Sequence, residues 1–110
     1  MPTIYKVLGQ SAPAAATATT LYTVPAATDS IVSTINVVNT HASTTDVIRI
    51  AVRPAGATLA TEHYIVYGLS LSAGATFTYT GGITLDATDV VTVYSTSGIS
   101  SFSAFGSEIS

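Results

Sequence analysis

Cysteine is absent from this chain of 110 residues, and charged residues are scarce. Without cysteine there is no disulfide framework, no thiolate metal site and no thiol nucleophile. Charged residues make up 8% of the chain, against about 25% in an average domain, and only three are Lys or Arg. Nucleic-acid binding depends on such cations to neutralise phosphates, so the composition argues against a nucleic-acid partner.

Long apolar runs and tryptophan are also missing. No stretch approaches the roughly 20 apolar residues of a membrane-spanning helix. The first ten residues, "MPTIYKVLGQ", lack the apolar segment of a secretory signal. We therefore expect no membrane partner and no secretion, and the lack of cysteine fits synthesis in the cytosol.

The chain is instead rich in Thr, Ser and Ala, and 47% of its residues are hydrophobic. A surface of hydroxyl and methyl groups can be buried against another protein without removing water from ions, a step that costs several kcal/mol per unpaired charge. The cores of protein–protein interfaces are similarly poor in charge. Two interpretations stay open: a surface made for burial, or a β-domain that uses Thr only because β-branched residues favour strands.

Alternating apolar and polar residues predict strands through most of the chain. In "VIRIAVRP", Ile48, Ile50 and Val52 share one face, which leaves Arg49 and Arg53 on the other. Seven or eight such segments follow one another at spacings of roughly 8–12 residues, with turn residues between them. This pattern predicts an all-β fold, an antiparallel β-sandwich of 7–8 strands, and it leaves immunoglobulin-like and jelly-roll connections open.

One domain fits this length. Residues 1–20 are predicted to form a strand and an extended arm, and residues 21–110 the sandwich. The alternation also predicts which side chains form the core. These are Ile48, Ile50, Val52, Ile65, Tyr67, Val91 and Val93.

Few residues have side chains suited to catalysis or metal binding. His41 and His63 lack the spacing and neighbours of a metal site, which needs three or four converging ligands. Asp86 and Asp89 could act as an acid–base pair or bind calcium, but Asp before a strand most often hydrogen-bonds to nearby backbone. We therefore predict no catalytic, cofactor-binding or metal-binding residue and no enzyme activity.

Six segments in order carry a family resemblance: "YTVPA" at 22–26, "INVVNT" at 35–40, "RIAVRPAGA" at 49–57, "HYI" at 63–65, "GGITLDATDVVTVY" at 81–94 and "FSAFGSEI" at 102–109. They resemble a family of small virion-associated proteins of tailed bacteriophages. The resemblance extends over about 90 of the 110 residues, everything but the N-terminal arm, and contains no catalytic signature.

The resemblance implies a β-sandwich subunit used repeatedly in a virion, without enzyme activity or cofactor. We expect a capsid decoration or cement protein, made in the host cytoplasm, that oligomerises on the shell, with a trimer as one candidate state. Its partners would be the major capsid protein or other virion proteins. A neck, tail or baseplate component is the alternative. A second alternative is a glycan-binding module that uses Tyr64, Tyr67 and Tyr79.

Two groups of residues are predicted to form interfaces. Arg49 and Arg53 on one strand could hold a carboxylate of a partner, or could simply keep the sheet soluble. Tyr5, Lys6 and Val7 lie in "TIYKVLG", a segment that could add a strand to a neighbour's exposed sheet edge.

Overall fold

A computed structural model describes residues 2–110 and contains two packed antiparallel sheets. The predicted all-β sandwich is confirmed, with nine strands instead of seven or eight. The strands are β1 (Thr3–Ser11), β2 (Thr19–Thr23), β3 (Asp29–Asn39), β4 (Asp46–Arg53), β5 (Tyr64–Leu71), β6 (Thr76–Tyr79), β7 (Ile83–Leu85), β8 (Val90–Ser95) and β9 (Ser100–Ile109). Two single 3₁₀ turns, Pro54–Gly56 and Thr61–His63, lie between β4 and β5.

The strand order is that of a jelly roll. The first sheet has the order β1-β9-β3-β6, with β7 also paired to β3, and the second has the order β2-β8-β4-β5. β6 and β7 both pair with β3 and can be taken as two parts of one strand. The whole chain then has the connectivity of one long antiparallel hairpin. Its pairs are β1 with β9, β2 with β8, β3 with β6 and β7, and β4 with β5. Rolling this hairpin brings β9 beside β3 and β8 beside β4, which decides between the two predicted topologies.

The core lies between the sheets, and five of the seven predicted core residues contribute to it. Ile48, Ile50, Val91 and Val93 are fully buried, and Val52 packs against the core at its margin. The prediction was wrong for two residues, because Ile65 is exposed and Tyr67 is 64% exposed on the outside of the second sheet.

Bulges in β5 explain this error. The register between β4 and β5 skips one residue at Gly68 and another at Ile65. Each extra residue shifts the alternation of side chains by one, so that Val66 and Leu69 face the core instead of Ile65 and Tyr67. Gly68 has a φ of +71°, a left-handed conformation that glycine adopts at little cost.

Two more bulges lie on either side of β9. The register skips Leu8 in β1 and Ser33 in β3, next to Phe105 and Gly106 of β9. Gly106 fits this bend because a Cβ there would overlap the Ile31 carbonyl oxygen. The first sheet therefore bends at Phe105–Gly106, and Phe105 remains on its outer face.

The N-terminal residues belong to the sandwich. Residues 3–11 form the edge strand β1, which pairs with β9 over its whole length, and Leu8 reaches the core. Residues 12–18, which include a turn at Ala15 and Ala16, carry the chain across to β2 in the second sheet. Residues 2–110 include no helix with the length and apolar character needed to cross a membrane.

Candidate functional site: two outer faces of the sandwich

The second sheet presents an aromatic cluster with one arginine. Arg49 lies in β4, an inner strand of this sheet, opposite Tyr67 of β5 and Tyr94 of β8. Its guanidinium carbon is 4.5 Å from the centre of the Tyr67 ring and 4.4 Å from that of Tyr94. Tyr64 stands edge-on to Tyr67, with ring centres 4.8 Å apart. We call Arg49, Tyr64, Tyr67 and Tyr94 the tyrosine–arginine face.

The rings of Tyr67 and Tyr94 hold the Arg49 guanidinium in place. A cation between two aromatic faces gains about 0.5–1 kcal/mol per ring at an exposed site. Arg49 Nε is buried and has no hydrogen-bond partner among residues 2–110. Because Nε is buried, a carboxylate could reach only the N–H groups of the two terminal nitrogens, whose orientation the stacking fixes.

Arg53 lies on the same outer face but serves the fold. Its Nε donates to Thr92 Oγ1 at 3.0 Å, and one terminal nitrogen donates to the Ala57 carbonyl oxygen at 3.0 Å and to that of Gly56 at 3.4 Å. These bonds fix the 3₁₀ turn that follows β4. The predicted common face of Arg49 and Arg53 is present, but the two arginines have different surroundings.

Of the three tyrosines predicted for a glycan site, only two lie close together. Tyr64 and Tyr67 are neighbours on β5. Tyr79 lies on β6 of the other sheet, where it packs against the core. The prediction that these three tyrosines form one site is therefore wrong. Tyr94 and Arg49 take the place of Tyr79 beside the β5 pair, which the sequence could not show because β4 and β8 pair across about 40 intervening residues.

The first sheet presents an apolar depression near its β1 edge. Tyr5 and Val7 of β1, Ile31 of β3 and Phe105 of β9 line it, and we call these four residues the apolar face. Tyr5 is 84% exposed and Val7 48% exposed. The predicted interface residues therefore lie on two separate surfaces, with Tyr5 and Val7 on the first sheet and the arginines on the second.

Lys6, between Tyr5 and Val7, also borders this depression, but the alternation of the strand turns its side chain to the opposite side of β1. Its ammonium group lies 3.1 Å from Glu108 Oε1. The Tyr22 hydroxyl, from the second sheet, donates to Glu108 Oε2 at 2.5 Å. The hydrogen bond from Tyr22 and, to a smaller extent, the charge of Lys6 lower the pKa of Glu108 below its ordinary value. Burial and the bond to Glu108 raise the pKa of Tyr22 to about 12.

A buried carboxylate closes the other end of the sandwich. Asp46 is fully buried and accepts hydrogen bonds from the Ser95 and Ser100 hydroxyls and from the backbone N–H groups of Val47 and Ser97. Burial alone would raise the pKa of Asp46, but these bonds outweigh it and leave the pKa below its ordinary value. No motif in the sequence indicated this network, which joins the first residue of β4 to the last residue of β8 and the first residue of β9.

The two histidines have structural roles in loops. His41 Nδ1 accepts from the backbone N–H groups of Ser43 and Thr44, at 3.1 Å each. His63 Nδ1 accepts from the Ala60 N–H at 3.0 Å. Within residues 2–110, no three His, Asp or Glu side chains converge in a way that could hold a metal ion.

Asp86 and Asp89 bind backbone, as Asp in a turn usually does. Asp89 accepts from the N–H groups of Ala55 and Asp86, at 2.8 and 2.9 Å. It thereby links the turn before β8 to the turn after β4. The Asp86 carboxyl raises the pKa of the neighbouring Asp29.

No protein-family model, curated protein or solved structure matches this chain.

Proposed function

We propose that this protein is a non-enzymatic structural subunit of a tailed-bacteriophage virion, first of all a capsid decoration or cement protein. The ordered resemblance from Tyr22 to Ile109 supports this role. Jelly rolls are also common in viral capsid domains, although the same fold serves lectins and cupins, so the fold alone does not decide the function.

The outer surfaces of both sheets are the observation that carries the proposal. Each presents large apolar or aromatic side chains to solvent: Tyr5, Val7 and Ile31 on the first sheet, and Ile65 and Tyr67 on the second. A soluble monomer gains nothing from such groups on opposite sides, whereas a subunit held between neighbours can bury both sides.

The tyrosine–arginine face is the surface proposed to dock on the particle. Arg49 is already stacked and partly desolvated, so little side-chain entropy is lost when a partner carboxylate binds it. Arg53 already donates to the turn carbonyls. The proposed partner is therefore an acidic side chain of the major capsid protein or of another virion protein.

The number of copies per purified particle tests the proposal. Quantitative mass spectrometry of virions should find hundreds of copies for a decoration protein and a few or a few dozen for the alternative, a neck, tail or baseplate component. Absence of the protein from purified particles would refute both assignments.

A glycan-binding module is the second candidate function, favoured by the edge-on pair Tyr64–Tyr67 on an exposed strand. Aromatic rings with nearby hydrogen-bond donors can stack on sugars. A glycan array probed with wild type and with Tyr67→Ala tests this role. Specific binding that the substitution abolishes would support the module, and an array without signal would exclude the sampled glycans.

A further inference from the structure

We propose that β1 pairs with β1 of a second copy, antiparallel and centred on Tyr5, so that the first sheets of the two copies join into one. This inference deepens the proposed function, because a repeatedly used subunit must contact its own kind. The chain would meet its neighbour edge to edge and would not donate a free arm, since β1 is already paired with β9.

The free edge of β1 has backbone groups with no partner strand. β1 ends the order of the first sheet, and within residues 2–110 only β9 pairs with it. The Ser110 N–H donates to the Pro2 carbonyl oxygen, directly opposite, at 3.1 Å. Opposed residues of antiparallel strands alternate between pairs that exchange hydrogen bonds and pairs that do not. Ile4 and Lys6 therefore bond to β9 like Pro2, and the N–H and C=O groups of Thr3, Tyr5 and Val7 point outward.

This outward set is symmetric about Tyr5. The regular edge ends at the bulge at Leu8, and at Gly9 the strand passes so close to β2 that a Cβ would overlap the Leu21 carbonyl oxygen. The segment open to a partner is therefore Thr3–Val7. A two-fold axis at Tyr5 places Tyr5 opposite Tyr5 of the second copy and Thr3 opposite Val7. The outward N–H and C=O groups of Thr3, Tyr5 and Val7 then lie opposite those of Val7, Tyr5 and Thr3 of the second copy. These three pairs form about six new backbone hydrogen bonds.

The side chains fit the same arrangement. A two-fold axis perpendicular to the sheet keeps both outer faces on one side, so that the two apolar faces form one continuous surface with the Tyr5 rings at its centre. Lysine often protects an edge strand from pairing. Here Lys6 lies on the other side of the strand and is neutralised by Glu108 of its own copy, so two identical edges meet without charge repulsion.

The contact is small. Five residues per copy are far fewer than the roughly 20–30 a side of a standard interface. We therefore expect a weak dimer in dilute solution, which becomes populated when neighbouring copies are held close together. A trimer of this protein would need another contact, because this one is two-fold.

Disulfide trapping detects such a contact even when it is weak, and the chain has no cysteine of its own. The test uses four single variants of the full chain: Tyr5→Cys, Val7→Cys, Thr3→Cys for mixing with Val7→Cys and, as control, Tyr67→Cys, which replaces an exposed tyrosine on the other sheet. Thermal melts verify that each variant is folded. Disulfide dimers are then followed over time under mild oxidation.

Tyr5→Cys should form dimers at least about tenfold faster than Tyr67→Cys, because pairing raises the effective thiol concentration. Opposed Cα atoms about 5.5 Å apart suit a disulfide. Val7→Cys alone should match the control, since two copies of position 7 lie about 13 Å apart along the strand. Mixed with Thr3→Cys, it should cross-link quickly.

Equal rates for Tyr5→Cys and the control would overturn the inference. Fast cross-linking of Val7→Cys alone would overturn the register. The cross-linking experiment uses isolated protein, so its failure would not contradict the proposed role in virions. Conversely, absence of the protein from purified virions would not contradict the pairing of β1 with β1.

Discussion

Asp46 is one of the few charged residues of this chain, and its buried carboxylate stabilises the fold. Its carboxylate is the buried acceptor to which the Ser95 and Ser100 hydroxyls and two backbone N–H groups donate. Each of these donors would lose a partner if the carboxylate were removed, and an unsatisfied buried polar group costs about 1–3 kcal/mol. Asp46 thus connects the start of β4 to the end of β8, the start of β9 and the turn between them.

We predict that Asp46→Ala lowers the free energy of unfolding by several kcal/mol at pH 7, and Asp46→Asn by less because the amide keeps one acceptor oxygen. The pKa of Asp46 is lower in the folded state than its ordinary 3.8. Its stabilisation is therefore complete above that value and is lost as the pH falls through the lower, folded pKa. Urea denaturation between pH 7 and pH 2 measures this effect.

The Asp46→Asn variant should lose less stability on acidification than wild type. Glu108, whose pKa is also lowered, supplies part of the remaining acid sensitivity, so Glu108→Gln is the matched control. Parallel pH curves for wild type and Asp46→Asn would contradict the assigned role of the carboxylate.

At the scale of the element, strands were predictable and their irregularities were not. Alternation in β4 correctly placed Ile48 and Ile50 inside, because that strand pairs with β8 without a register shift. In β5 the same reasoning failed at Ile65 and Tyr67, where two bulges change the phase. A bulge depends on the partner strand as well as on its own sequence. The one local sign was Gly68, since glycine inside a strand often marks a bulge.

We predict that Gly68→Val destabilises the protein by about 1–2 kcal/mol, the cost of a left-handed conformation for an ordinary residue. Gly68→Asn should cost less, because Asn tolerates this conformation. Among residues 2–110 no atom lies within 4 Å of a Cβ added at this position, so the Cβ itself meets no steric obstacle. Chemical denaturation of both variants measures the difference. Equal costs would mean that the backbone of the bulge rearranges.

Tyr22 ties two elements of different sheets together. Its hydroxyl joins β2 to Glu108 of β9 and lies 3.3 Å from Ser30 Oγ of β3. We predict that Tyr22→Phe costs about 1.5–3 kcal/mol, the range for a hydrogen bond to a charged group, and raises the pKa of Glu108, as NMR titration would show.

The raised pKa of Tyr22 gives this prediction a second readout. The folded value is about 12 and the ordinary value is 10.0. The neutral hydroxyl therefore stabilises the fold below pH 10 and loses this effect as the pH rises towards 12. Wild type should lose stability across this interval, and Tyr22→Phe should lose less. Serine at position 107 offers a control, since Ser107→Ala leaves the tyrosine bond in place.

On the scale of the whole molecule, the fold joins the two ends of the chain. Thr3 pairs with Ile109, and β9 holds β1 and β3 on its two sides. These long-range pairings could not be read from local patterns, which is why the sequence left two topologies open. The same limit applies to the tyrosine–arginine face, where the position of Arg49 on an outer face was predictable but its two tyrosine neighbours on β5 and β8 were not.

Removing the N-terminal strand should therefore weaken the entire sandwich. We predict that a chain of residues 20–110 is less stable than the full chain and prone to associate, because it loses Leu8 from the core and exposes the backbone of β9 as a new edge. Loss of a buried leucine alone costs about 2–5 kcal/mol. Thermal melts and light scattering measure both effects. An equally stable monomer would show that β1 is dispensable.

Substitutions of the two arginines of β4 should affect stability and docking on the particle differently. Arg53 donates to Thr92 and to turn carbonyls, so Arg53→Ala should lower the melting temperature. The Arg49 guanidinium stacks on the rings of Tyr67 and Tyr94 at the sheet surface, so Arg49→Ala should change the melt less. If Arg49 meets a partner carboxylate, its loss should weaken binding to the particle by about 2–5 kcal/mol.

The measurement is co-sedimentation of each variant with particles stripped of this protein, across a salt series. We expect Arg49→Ala to be lost from particles at salt concentrations that wild type tolerates. Arg49→Lys should bind more weakly than wild type, because an ammonium group keeps the charge but lacks the planar fork that can both stack and form two hydrogen bonds. Arg53→Ala, tested below its own melting temperature, should bind like wild type. Wild-type occupancy of Arg49→Ala at every salt concentration would show that the stacked arginine stabilises only the sheet surface.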